Sequence, residues 1–220
     1  MNLSSTPERV SAQGAVSQGT ARLPGERLLV IACGALAREI DAIRSANGLD
    51  YIDLTCLPAI LHNRPEKIPE AVRTAIRKNR GSYAHIAVAY ADCGTGGELD
   101  RVIEAEGASR INGPHCYAFF SGTANFLARG DADMDAFYLT DFLARQFEAF
   151  VVQPLGLDRH PELRDVYFGN YRRLIYLEQA PDPALESKAR AAAERLGLAY
   201  EKRDTGYGDL ASFLQQRPAG

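Results

Sequence analysis

No apolar run in this chain approaches the roughly 18 to 20 residues that a membrane-crossing helix needs, so no spanning segment is expected. Basic charge is not in excess either. Against 25 Lys and Arg stand 28 Asp and Glu, a formal net charge of −3. A nucleic-acid surface, which draws its affinity from neutralised phosphates, is therefore not expected. The first stretch, "MNLSSTPERVSAQGAVSQGTARLPGE", lacks the apolar centre of a secretory signal. Residues 1–25 read as a disordered tail, and the expected compartment is the cytoplasm, where thiols stay reduced. Cysteine is scarce, with four in 220 residues and no CxxC pair. That excludes a disulfide scaffold and leaves core fillers, reactive thiols or metal ligands. No internal repeat is visible.

What is present is a core and a rhythm. Apolar residues make up 46% of the chain, enough for a real hydrophobic interior. "RLLVIAC" is a continuous apolar run and reads as a buried strand. "GALAREIDAIRSANG" follows with Leu36, Ile40 and Ile43 on one helical face and Asn47-Gly48 as a stop. "DYIDLTCL", "YAHIAVAYA" and "SRIN" read as further strands, and "RPEKIPEAVRTAIRKN" as the helix between the first two. Strands alternating with helices of this length predict an α/β fold: a mostly parallel, Rossmann-like sheet with helices on both faces. The second half is expected to be more helical. "HCYAFFSGTANFLAR" and "AFYLTDFLARQFEAFVV" carry apolar residues at helical spacing. "RRLIYLEQ" and "LAYEKRD" are late strands around the helix "DPALESKARAAAERLG", capped by Asp182 and stopped by Gly197. One domain over residues 26–216 is expected.

In an open parallel sheet, ligands sit beyond the carboxyl ends of the strands. Cys33 ends the first strand, Cys93 ends the third, Cys116 follows the fourth, and His62 lies in the loop after the second. Three thiolates and an imidazole suit Zn²⁺. Three thiolates alone suit an iron–sulfur cluster with one open iron, although Cys₄ ligation is the usual pattern. A single Cys at a strand end is more often a small core residue, and Cys56 in "LTCLP" is placed in that class. His115 and Tyr117 flank Cys116 and are candidate catalytic groups, as is His160 in "GLDRHPELRDVYFGNYRR". His115 has an equal claim to a supporting role behind a ligand. An exposed, charged helix start explains the His160 segment equally well. Arg64 and Arg159 are candidate contacts for an anionic or methylated small-molecule substrate. "DCGTGG" is no P-loop, because no Lys-Ser/Thr follows. The N–H groups of Gly94, Thr95, Gly96 and Gly97 still offer a candidate anion or cofactor cradle at a helix start. "DTGYGDL" reads as a turn or as a further pocket wall. A third chemistry uses no metal: Cys93 or Cys116 is a nucleophile activated by His62 or His115.

"ACGALAREI", "LPAILHNRPEKIPEAV", "YADCGTGGELD", "RINGPHCY", "FYLTDFLARQF", "GLDRHPELRDVYFGNY" and "TGYGDL" occur in this order between Leu28 and Leu214. Together they resemble the DUF1638 family of uncharacterised proteins. The family's motif cysteines and histidine fall on Cys33, His62, Cys93 and Cys116. Many members carry an acidic residue after the tyrosine of "HCY", where this chain has Ala118. Members often accompany corrinoid proteins and methyltransferases resembling those for trimethylamine. The resemblance implies a place in corrinoid-dependent methyl transfer or one-carbon metabolism, with the corrinoid brought by a partner. A docking partner without enzymatic activity of its own is the rival expectation.

Overall fold

The computed structural model describes residues 27–216; the tail expected at 1–25 lies outside them. Strand β1 (Leu28–Cys33) is buried at every position, as an unbroken apolar run requires of a strand covered on both faces. One 3-10 turn leads into α1 (Ala37–Asn47), which stops at Gly48 with φ 61. There follow β2 (Ile52–Leu57), α2 (Ile68–Asn79), β3 (His85–Ala89), α3 (Glu98–Glu106) and β4 (Ser109–Arg110). Ile68, Val72 and Ile76 form the buried face of α2. The four strands run parallel in the order β2-β1-β3-β4. From β2 the chain must therefore pass β1 to reach β3. The crevice beyond the carboxyl ends of β1 and β3 is thus the point where the winding reverses, and such crevices hold ligands in open parallel sheets.

The second half contains α4 (Ala118–Ser121), α5 (Thr123–Ala128), β5 (Ala136–Thr140), α6 (Asp141–Arg145), α7 (Leu163–Phe168), β6 (Arg173–Glu178), α8 (Pro183–Leu196), β7 (Ala199–Asp204) and α9 (Gly208–Gln215). The fold is α/β with parallel sheets, but there are two of them. β5, β6 and β7 pair in parallel as a separate sheet, with β5 at its edge. Each sheet has its own buried core: one is built on β1 and β3, the other on Leu139, Leu174 and Tyr176 with α8.

"AFYLTDFLARQFEAFVV" carries apolar residues at helical spacing, yet only part of it is helical. Its first five residues are β5, because pairing with β6 overrides the helical spacing. The Thr140 hydroxyl then caps α6 by accepting from the Leu143 N–H at 3.4 Å. A π-helical turn follows at Glu148–Val152. "HCYAFFSGTANFLAR" is likewise two short helices, broken at Gly122 with φ 79. Asp182 and Gly197 behave as expected. The Asp182 carboxylate accepts from the Ala184 and Leu185 N–H groups at 2.9 and 3.2 Å, and Gly197 ends α8 with φ 68. No helix among the described residues is long and apolar enough to cross a membrane.

The last helix ties the halves together. Leu210 and Leu214 of α9 leave the second sheet and join the core of the first, beside Phe119 and Phe120. "TGYGDL" is therefore the turn that makes this return. Gly208 has φ 44, and a Cβ there would meet the Phe119 carbonyl oxygen at 2.2 Å. Only glycine fits both constraints. Gly208→Ala is expected to lower stability by about 2 kcal/mol or more. In a chain of this size that shifts the melting temperature by roughly 4–8 °C. An unchanged thermal melt would show that α9 is not held at this crossing.

Candidate thiol and histidine site

The loop after β3 is organised by one side chain. The Asp92 carboxylate accepts from the N–H groups of Gly94 (3.2 Å), Gly96 (3.3 Å) and Gly97 (2.9 Å) and from the Thr95 hydroxyl (2.8 Å). The wrap turns at three glycines of positive φ, a region side chains rarely enter. Burial opposes ionisation of Asp92, but the N–H groups of Gly97, Gly96 and Gly94 and the Thr95 hydroxyl outweigh it and hold the carboxyl below its ordinary value. This corrects the reading of Gly94, Thr95, Gly96 and Gly97 as a cradle for an external anion. The cradle exists, and Asp92 fills it.

Inside this wrap sits Cys93. Its φ of 49 is the only positive value at a non-glycine among the described residues. Such a backbone costs on the order of 1–3 kcal/mol and persists only where neighbours impose it. Here the Asp92 and Cys93 N–H groups donate to the carbonyls of Gly113 and Pro114 at 3.0 and 2.9 Å. Those two bonds fasten the end of β3 to the "GPHCY" loop and bring Cys93 to Cys116.

Cys33, His62, Cys93 and Cys116 all line one cavity of about 220 Å³, although Cys33 ends β1 and the others come from the segments after β2, β3 and β4. Cys33 and Cys93 stand at the reversal point between β1 and β3. The Cys116 thiol donates to Cys93 and is the largest influence lowering the Cys93 pKa; burial opposes it and His62 adds to it. Cys116 is pushed up by the same bond and by burial. Burial also raises Cys33, to about 11, so its thiol keeps its proton. The hydrogen bond to Cys93 raises the His62 pKa against the effect of burial. The Cys116 thiol and the His62 imidazole thus both favour the ionised form of Cys93, and Cys33 stands beside them in the cavity. Among the described residues, no three His, Cys, Asp or Glu side chains stand in the arrangement that holds a metal ion. Cys56, expected in the core, is exposed, because it sits on the edge strand β2.

The opposite wall is aromatic and belongs to the second half. Tyr117, Phe137, Tyr138, Phe142, Phe150 and Tyr171 line it. His115, Tyr117 and Tyr138 stack in series, with ring centroids 4.9 and 5.1 Å apart. Burial pushes the His115 imidazole below its ordinary pKa. Tyr138 is pinned at its far end, where its hydroxyl donates to Asp133 at 2.9 Å. Asp133 is clamped in turn by Arg203 at 2.7 and 2.9 Å.

Of the remaining sequence candidates, Tyr117 lines the cavity and His115 stands behind it, against the Tyr117 ring. Arg64, Arg159 and His160 do not line it. Arg159 is exposed near Asp158, and His160 is exposed with its Nδ1 3.3 Å from Glu162. That segment is the charged, exposed helix start; only Tyr171, further along, reaches the cavity. Sequence reading missed Tyr90, Tyr138 and Phe142. The only signal for Tyr90 was its position at a strand's carboxyl end, and nothing local marked the other two.

Asp92→Ala leaves several loop N–H groups without their acceptor. It is expected to cost about 2 kcal/mol of stability and to slow the pairing of Cys93 with Cys116 under a mild oxidant. Equal disulfide formation in variant and wild type would show that Asp92 does not set the loop.

Comparison with known proteins comes down to one family. A search of curated proteins and of solved structures finds no match. The DUF1638 family model, described as a protein of unknown function, matches residues 56–214. That span is most of the chain and holds His62, Cys93 and Cys116, while Cys33 precedes it. The chain belongs to the DUF1638 family.

Proposed function

We propose that this is a cytoplasmic metal-binding protein whose Cys33, His62, Cys93 and Cys116 take one zinc ion, and that it acts in methyl or other one-carbon group transfer. One observation carries the reading: four soft donors, from the end of β1 and the segments after β2, β3 and β4, line a single cavity at the reversal point of a parallel sheet. Isolated core cysteines have no reason to share such a place. The donor set is the Cys₃His set that zinc accepts, and Cys93 already contacts both Cys116 and His62. An iron–sulfur cluster on the three thiolates is the alternative group. Bound zinc would supply a nucleophilic thiolate or polarise a substrate at an open position. The chain's own residues do the rest. Asp92 fixes the Cys93 loop, His62 and Cys116 stabilise the Cys93 thiolate, and the Tyr117–Tyr138 stack keeps water from the far wall. Any corrinoid would arrive on a partner protein or methyltransferase, in keeping with the family resemblance.

Protein purified without oxygen is expected to carry about one zinc per chain by elemental analysis. Cys93→Ser and Cys116→Ser should each reduce it to background. Full metal content in both Cys33→Ser and Cys93→Ser would overturn the assignment.

The depressed Cys93 thiol favours a second reading, a metal-free cysteine nucleophile. An ordinary thiol, with a pKa of about 8.5, loses alkylation rate about tenfold per pH unit as pH falls below it. On this reading metal-free Cys93 loses far less between about pH 8 and pH 6, because its folded pKa is lowered and the thiolate persists. A tenfold fall per unit at Cys93 would remove this reading.

A further inference from the structure

The wall that faces the thiols differs from both cores. Tyr117, Phe137, Tyr138, Phe142, Phe150 and Tyr171 line the cavity, and each is only half-buried. In the cores the large rings are covered: Phe119 and Tyr176 are 0% exposed. The rings around the cavity therefore leave aromatic surface that a ligand can reach. They do not lie in one plane. Phe142 and Phe150 meet at 75° with centroids 4.9 Å apart, and Phe137 and Tyr171 at 69° and 6.0 Å. Tyr117 and Tyr138 stack on each other at 18°. A lining of rings at steep mutual angles presents π-faces from more than one direction, and the face is the negative part of a ring's quadrupole. The Tyr138 hydroxyl already donates to Asp133, so that residue meets the cavity as a ring.

Charge in the cavity favours the same kind of guest. No Lys, Arg, Asp or Glu lines it among the described residues. Three thiols do, and a thiol gains only negative charge on ionising. His62 is the one lining group that can become a cation, and it is hydrogen-bonded to Cys93. With three thiolates around a divalent ion, the loaded site carries net negative charge. An anion would thus meet thiolates and ring faces, which both repel it. A neutral apolar guest gains from burial but nothing from charge. An ammonium that carries N–H groups finds no carboxylate to accept from them, and leaving them unpaired is costly. A fully alkylated ammonium has no N–H to satisfy and is drawn to the ring faces.

We propose that the cavity binds a small quaternary ammonium group, held between the ring wall and the sulfurs of Cys33, Cys93 and Cys116. This names a substrate class for the site of the proposed function and rests on reading the cavity as that site, but not on which metal occupies it.

The test is calorimetric titration of the full chain with choline, with its uncharged isostere 3,3-dimethylbutan-1-ol, and with ethanolamine, whose head carries N–H groups. Choline is expected to bind at least about tenfold more tightly than either. Phe142→Leu keeps an apolar side chain and removes one π-face. It should weaken choline about five- to thirtyfold and leave the isostere nearly unchanged. Tyr171→Leu, on a different segment, should do the same. Both side chains are half-buried, so thermal melts of both variants are expected to stay close to wild type. Isostere or ethanolamine binding as tight as choline, choline binding unchanged in both variants, or no choline binding at about 10 mM would overturn the proposal. Metal content measured on the same samples separates the two readings. Wild type purified without oxygen and free of metal that still prefers choline, and loses it in Phe142→Leu, would sink the zinc assignment alone. Zinc-loaded protein that binds the isostere as tightly as choline would sink this proposal alone.

Discussion

The site depends on the Asp92 carboxylate and the glycine loop folded around it. A glycine-rich turn opening a helix presents a row of N–H groups, and such rows attract anions. In this chain the anion is built in. Because Asp92 occupies its own loop, the loop is fixed before any ligand arrives, and Cys93 is carried into a backbone conformation that a side chain rarely adopts. The strain is held by hydrogen bonds on both sides: the carboxylate wrap, and the Asp92 and Cys93 N–H groups on the carbonyls of Gly113 and Pro114. The "GTGG" stretch is thus a device for presenting a thiol.

The fold supplies the other half of that arrangement. The strand order β2-β1-β3-β4 opens a crevice between β1 and β3, and the chain places Cys33 and Cys93 on its two lips. A lone parallel sheet would leave that crevice open to water. The second sheet closes it with the edge strand β5 and the rings of Tyr138, Phe142 and Phe150. That wall is anchored from behind, since Tyr138 is tied to Asp133 and Asp133 to Arg203 on β7. The return of α9 to the first core draws the two halves toward one another. Thiols on one side and aromatic rings on the other give the cavity its character: soft, apolar and without fixed charged side chains.

Local order was legible in the sequence wherever short-range physics decides. The buried run of β1, the Asn47-Gly48 stop and the Asp182 and Gly197 caps each depend on a few neighbouring residues, and each stands where the pattern put it. The strand ends were legible too, and with them the prospect that Cys33, His62, Cys93 and Cys116 reach one edge. β5 was not legible, because "AFYLT" is compatible with either period and only its partner β6 decides between them. The separation into two sheets was hidden for the same reason. Arg159 and His160 look like chemistry in a string of letters, but their side chains point to solvent in a charged surface segment.

By itself the sequence determined the α/β class, the alternation of elements and the placing of three thiols and an imidazole at or after strand ends, because strand runs, caps and turn glycines act over a handful of residues. Only the tertiary structure decided what those side chains face. It assigned the glycine loop to Asp92, put Tyr90 and an aromatic wall around the thiols, and moved the arginines away. Each of these is a contact between segments far apart in the chain, and such contacts exist only after two sheets have packed.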